Sequence, residues 1–242
     1  MPTKRSSSRA MTVGRKLAKQ TLKRRRQAAR TRKCALAAHP SPVIRSIAET
    51  GVRALVPTAL VRSTSAGVLI AEGDSWFDYP LHDVLKDLDD LYGYDVESVA
   101  HKGDTVEDMA YSGGQLDEFS RRVEKVLRNG VKPKAILLSG GGNDIAGDEF
   151  AILLNHAGSS ISGFNDDIVT GVIDQRLNDA YVTILQAITT ICQEQIGEPV
   201  PIIIHGYDYA VPDGRGFLGG WWLLPGPWLE PGFRRKGYPT AP

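Results

Sequence analysis

The stretch VLIAEGDSWFDYP, residues 68–80, changes character halfway along. Val68–Ala71 is a short apolar run, and after it come a glycine, acids, a serine and aromatics before a proline. A strand of a parallel sheet reads as such a run, because helices cover both of its faces and leave no solvent side for polar alternation. The same change recurs downstream. Val96–Ala100 precedes HKGDTVEDM, Ala135–Ser139 precedes GGGNDIAG, and Val200–His205 precedes GYDYAVPDGR. Four such runs alternating with helical patterns predict an α/β fold built on a parallel sheet.

The helical patterns between them are explicit. Leu81, Val84, Leu85, Leu88 and Leu91 keep helical spacing, as do Leu116, Phe119, Val123 and Val126. Along the second of these, Asp117 with Arg121 and Glu118 with Arg122 form i,i+4 pairs, and Asn129-Gly130 predicts its end. The longest pattern runs from Asp166 to Gln195, with apolar residues at 169, 173, 177, 180, 184, 188 and 191. Asp166 and Asp167 suit the positive N-terminal end of that helix.

Ligands of open parallel sheets bind beyond the carboxyl ends of the strands, so the residues just past each strand carry the functional reading. After the first strand Ser75 sits in a tight turn, a position for a nucleophile, although Ser75 or Asp74 would serve equally as a helix N-cap. After the second, Gly103 leaves its backbone N–H unobstructed toward a developing oxyanion, and Asp104 or Thr105 starts a helix. After the third, three glycines allow close backbone approach and Asn143 offers an amide donor.

Taken together, GDSW at 73–76, KGDT at 102–105 and GGND at 141–144 resemble the first three blocks of the SGNH (GDSL) hydrolases, in the same order and at strand ends. The resemblance spans roughly Val68 to Gly147. It implies a three-layer α/β/α sandwich with a flavodoxin-like sheet, Ser75 as nucleophile, and Ser75 N–H, Gly103 and Asn143 as oxyanion donors. It implies a carboxylic ester as the small-molecule substrate, and neither cofactor nor metal.

The family's fourth block, DxxH, which supplies the histidine base and its aspartate, has no counterpart here. The five histidines, 39, 82, 101, 156 and 205, are preceded three positions earlier by Leu36, Tyr79, Ser98, Leu153 and Ile202. Against the resemblance a final helix, a fifth strand and the histidine loop are also missing. Three expectations arise: a C-terminally incomplete member, a non-catalytic relative, or a substitute base at His101 or His205. The tail holds Trp221, Trp222, Trp228 and Phe233 among prolines and glycines, which fits the wall or lid of an acyl pocket and equally fits packing over the sheet edge.

Charge divides the chain sharply. Of its 29 Lys and Arg residues, 13 lie between Lys4 and Lys33, ahead of the first acid, Glu49; from Cys34 on, 16 basic residues face 28 acidic ones, a net −12. Residues 1–43 read as a flexible or conditionally helical basic arm, 44–64 as a connecting helix, and 65–242 as the hydrolase-like domain. The arm, residues 4–33, suits contact with nucleic acid or an anionic surface, or simply solubility. No apolar run reaches the length that spans a bilayer, and Cys34 and Cys192 form no disulfide framework, so a cytoplasmic protein is expected.

Overall fold

The computed structural model describes residues 4–38, 65–79, 83–207, 210–216 and 226–239. The connecting helix expected over 44–64, and Trp221 and Trp222, lie outside them.

Among the described residues the sheet has four strands, all parallel: β1 (Gly67–Glu72), β2 (Tyr94–Ser98), β3 (Ala135–Leu138) and β4 (Ile202–Ile204), in the order β2-β1-β3-β4. β1 and β3 are the inner strands, and β3 is buried throughout, which is why its sequence is an unbroken apolar run. The second strand starts two residues earlier than its apolar run suggests, because Tyr94 and Asp95 pair with Gly67 and Val68 at the sheet's edge. The fourth is shorter than expected: only Ile202–Ile204 pairs with β3, and Ile203 and Ile204 are exposed.

Helix α2 (Val84–Asp90) is capped by Asp83, whose side chain accepts from Lys86 N at 2.8 Å. Thr105 caps α3 (Val106–Tyr111) in the same way at 3.0 Å from Asp108 N. Then comes α4 (Gln115–Arg128), which buries Leu116, Phe119, Val123, Val126 and Leu127 and stops at Gly130 (φ +75°). Asp117 and Arg121 pair at 3.2 Å as their spacing predicts, but Arg122 pairs with Glu97 of β2 instead of Glu118. A partner across the sheet edge competes successfully with one on the same helix.

A short α5 (Gly142–Ile145) and a 3-10 helix (Gly147–Leu153) come after β3. The long pattern forms α6 (Asp166–Val169), a π-helical stretch (Thr170–Leu177) and α7 (Asn178–Ile196) in direct succession, with Asn165 capping the start and Gly197 (φ +78°) ending it. The last described element is α8 (Glu230–Arg235).

Two apolar clusters flank the sheet. Ile70, Ile136 and Leu138 face α3, α4 and α7, while Leu69, Ala71, Ala135 and Leu137 face Phe77 and Leu85 of α2. The result is a mixed α/β molecule with helices on both faces of a parallel sheet.

Residues 4–38 form one helix, α1 (Lys4–Ala38), lying against α7. Its apolar residues are few but fall on one stripe: Ala10, Gly14, Ala18 and Leu22 are buried, with Thr21 beside them donating to Asp117 at 2.9 Å. Gly14 is needed there, since a Cβ on it would stand 2.5 Å from the Thr183 carbonyl oxygen. Small residues let the two helix backbones approach closely, so a stripe too thin to form a core by itself suffices against a neighbour. Among the described residues no helix is long and apolar enough to cross a membrane.

Candidate active site

Strand register builds the site. Leu138 of β3 pairs with Glu72 on one side and Ile204 on the other, so the next residues, Gly73, Ser139 and His205, form a row across the carboxyl edge. Gly73 makes that row possible: a Cβ on it would lie 2.7 Å from Ser139 Cβ and 2.9 Å from Phe77 Cδ2.

Asp74 is the centre of a buried network. Its Oδ1 accepts from Ser139 Oγ at 2.7 Å and from Trp76 N at 3.1 Å, and its Oδ2 accepts from Tyr207 Oη at 2.8 Å. His205 Nε2 lies 2.6 Å from Ser139 Oγ, and its Nδ1 3.0 Å from the Gly206 carbonyl oxygen. Serine, histidine and aspartate thus meet, but not as a hydrolytic triad. Ser139 is fully buried, and the acid contacts the serine rather than the histidine.

The three glycine-containing segments are stitched together around this network. His101 N donates to the Gly73 carbonyl at 2.9 Å, and Lys102 N donates to Asp78 Oδ2 at 2.9 Å, joining the second segment to the first. Asn143 Nδ2 donates to the Asp104 carbonyl at 2.9 Å, and Asp144 accepts from Val106 N and Glu107 N, joining the third to the second. Burial raises the pKa of Asp144, opposed by those two N–H groups.

Ser75 is half-buried in a turn closed by Phe77 N and Asp78 N donating to the Asp74 carbonyl, at 3.0 and 3.1 Å. It caps no described helix: α2 begins at Val84 and is capped by Asp83. With Trp76, Tyr79, Asp83, Val84, Asp87 and Trp228 it lines a cleft of about 310 Å³. Trp76 and Trp228 meet edge to face, with centroids 6.3 Å apart. Of the tail's described aromatics only Trp228 lines this cleft. Phe233 packs on Phe150 and Tyr238 in a separate cluster.

Gly103 is exposed in the second segment's turn at φ +93°, a conformation that favours glycine, and a Cβ there would meet open space. The glycines of the third segment serve internal contacts. A Cβ on Gly140 would strike Val106 Cγ2 at 2.5 Å, and one on Gly142 would strike Tyr207 Oη at 2.9 Å. Gly142 N donates to that Tyr207 oxygen at 3.2 Å, and Tyr181 Oη donates to the Gly140 carbonyl at 2.8 Å. Burial, reinforced by Asp74, raises the pKa of Tyr207, and burial likewise lifts Tyr181 to about 12, so both hydroxyls keep their protons at neutral pH.

Of the two histidines considered as a substitute base, His205 has both ring nitrogens engaged as above. His101 is exposed, and its Nδ1 lies 3.8 Å from Asp104 Oδ2. Burial raises the pKa of Asp104, while His101 and the Gln115 amide pull it down. Among the described residues no group of His, Cys, Asp and Glu side chains is arranged to hold a metal ion.

Sequence reasoning missed Asp74, Ser139 and Tyr207 as a unit, and missed Glu72. Glu72 ends β1, is almost wholly buried, and accepts from Gly73 N at 2.9 Å; burial lifts its carboxyl to about 8. For Glu72 and Ser139 the signal was a polar residue closing an otherwise apolar run, whereas Asp74 and Tyr207 lie two and three residues past their strands.

No family model matches the chain, and neither does any curated protein.

Proposed function

We propose that the chain is a serine hydrolase of the SGNH type, a cytoplasmic esterase acting on carboxylic esters, with the three-layer flavodoxin-like fold of that family. The observation that carries this reading is the joining of the three glycine-containing segments at one sheet edge, beside a cleft onto which Ser75 opens. Trp76, Val84 and Trp228 give the cleft an apolar lining suited to an acyl chain.

In this reading Ser75 Oγ attacks the acyl carbon and its proton passes to a base. The acyl C–O bond breaks as the alcohol leaves with that proton, and water then releases the acid from Ser75. The tetrahedral oxyanion is held by the N–H groups of Ser75 and Gly103 and by the Asn143 amide. The amide nitrogen carries two hydrogens, and the Asp104 carbonyl takes one, leaving the other for the substrate. His101 is the base in this account, its Nδ1 backed by Asp104.

Hydrolysis of p-nitrophenyl esters of graded acyl length tests this. Ser75→Ala should abolish turnover. Asn143→Ala should lower kcat about 10²- to 10³-fold with KM little changed. Wild-type activity in Asn143→Ala would reject its role as an oxyanion donor.

A second reading attaches to α1, whose outward face is strongly cationic. It is that of a polyanion-binding protein, its partner nucleic acid or an anionic surface, for which the body serves as scaffold.

A further inference from the structure

We propose that α1 docks on double-stranded nucleic acid through its phosphates alone, an inference that rests on the polyanion reading and names its partner. Arg9, Lys16, Lys19, Lys23, Arg26 and Arg30 are all exposed and recur every three, four or seven residues, so they share one helical face. From Arg9 to Arg30 that line rises about 32 Å at 1.5 Å per residue. Along the same flank runs a groove of about 850 Å³ lined by Lys19, Lys23, Arg26 and Arg30, with Glu194.

Charge segregation argues for a partner. Like charges three or four positions apart destabilise a helix, and α1 contains no acidic residue to offset them. A helix serving only solubility would intersperse acids. Among the described residues the acids that reach α1 come from the body, Asp117 on Arg24 at 3.3 Å and Glu194 on Arg26 at 3.6 Å; they take Arg26 out of the line and leave Arg9, Lys16, Lys19, Lys23 and Arg30 as its five phosphate contacts.

Two features choose among polyanions. A helix that inserts into a membrane interface needs a free apolar face, and the buried stripe of α1, from Ala10 to Leu22, is already spent on α7. Single strands are held largely by bases stacking on aromatic side chains, and α1 has none. The remaining possibility is contact with the closely spaced phosphates of a duplex, independent of sequence.

The test is fluorescence anisotropy of a labelled 30-bp duplex with the full chain, from 50 to 200 mM salt. Each neutralised phosphate contributes about −0.9 to the slope of log K against log salt, so five contacts give a slope near −4.5 and roughly a 500-fold loss over that range. A variant carrying Lys16→Gln, Lys19→Gln, Lys23→Gln and Arg30→Gln spares Arg24 and Arg26 and should flatten the slope to about −1. Lys16→Arg, Lys19→Arg and Lys23→Arg together should retain binding. No duplex binding at 50 mM salt, or an unchanged slope in the Gln variant of native circular dichroism, would overturn the proposal. Sedimentation with phosphatidylserine vesicles separates the two levels. Vesicle binding without duplex binding rejects the duplex but keeps the polyanion reading, and binding to neither rejects both.

Discussion

Ser139 Oγ stands between Asp74 and His205, 2.7 Å from one and 2.6 Å from the other. A hydroxyl has one proton to give. With Asp74 as a carboxylate that proton goes to Asp74, and the bond to His205 then requires a proton on Nε2. His205 is therefore a donor into the network, which is why the base at Ser75 is assigned elsewhere.

Removing the bridge should cost stability. Ser139→Ala leaves His205 Nε2 without its partner and Asp74 Oδ1 with only the Trp76 N–H, a loss of about 1–3 kcal/mol. Urea unfolding of the two proteins measures it, and equal midpoints would show the bridge to be energetically idle.

The Gly142–Tyr207 contact makes a coupled prediction. Gly142→Ala drives a Cβ to 2.9 Å from Tyr207 Oη, which should destabilise by about 1–3 kcal/mol. Tyr207→Phe removes the nearest obstructing atom and leaves the ring carbons at 3.0 and 3.1 Å, so the double variant should lose somewhat less than the sum of the two. Strict additivity in a double-mutant cycle would contradict this.

Glu72 sets a pH dependence whose sign comes from its pKa of about 8 against 4.5 when unfolded. Between those values the folded protein binds the extra proton, so this contribution is present in full below about pH 4.5 and is lost as pH rises through 8. At about 1.36 kcal/mol per unit the loss is on the order of 5 kcal/mol. Glu72→Gln should remove most of it, read as denaturation midpoints at pH 5 and pH 8.5. An equal decline in both proteins would place its origin in other groups.

The two histidines separate by readout. His101→Asn should lower ester turnover about 10²- to 10⁴-fold with stability unchanged, as loss of an exposed base does. His205→Asn should lower stability first, because it breaks the Ser139 contact. The reverse pattern, measured by initial rates and thermal melts, would exchange their roles.

Much of the scaffold was legible because parallel strands and amphipathic helices write their burial directly into the sequence. Ala135–Leu138 and the run from Leu116 to Val126 are examples. Less legible was whatever depends on two distant segments meeting. Arg122 turns to Glu97 rather than Glu118, and the thin apolar stripe of α1 is buried by α7. The site divides likewise. Ser75, Gly103 and Asn143 lie in the segments that follow β1, β2 and β3, while the Asp74–Ser139–His205–Tyr207 network is set by strand register, which no single segment records.

The claim at the centre is that Ser75 is a nucleophile. Treating the full chain with a fluorophosphonate probe beside a Ser75→Ala control, and locating the adduct by peptide mass spectrometry, tests it most directly. The account predicts one adduct, on Ser75, absent from the control and much slowed by His101→Asn. A chain that is natively folded yet unlabelled, or labelled equally after Ser75→Ala, would contradict it.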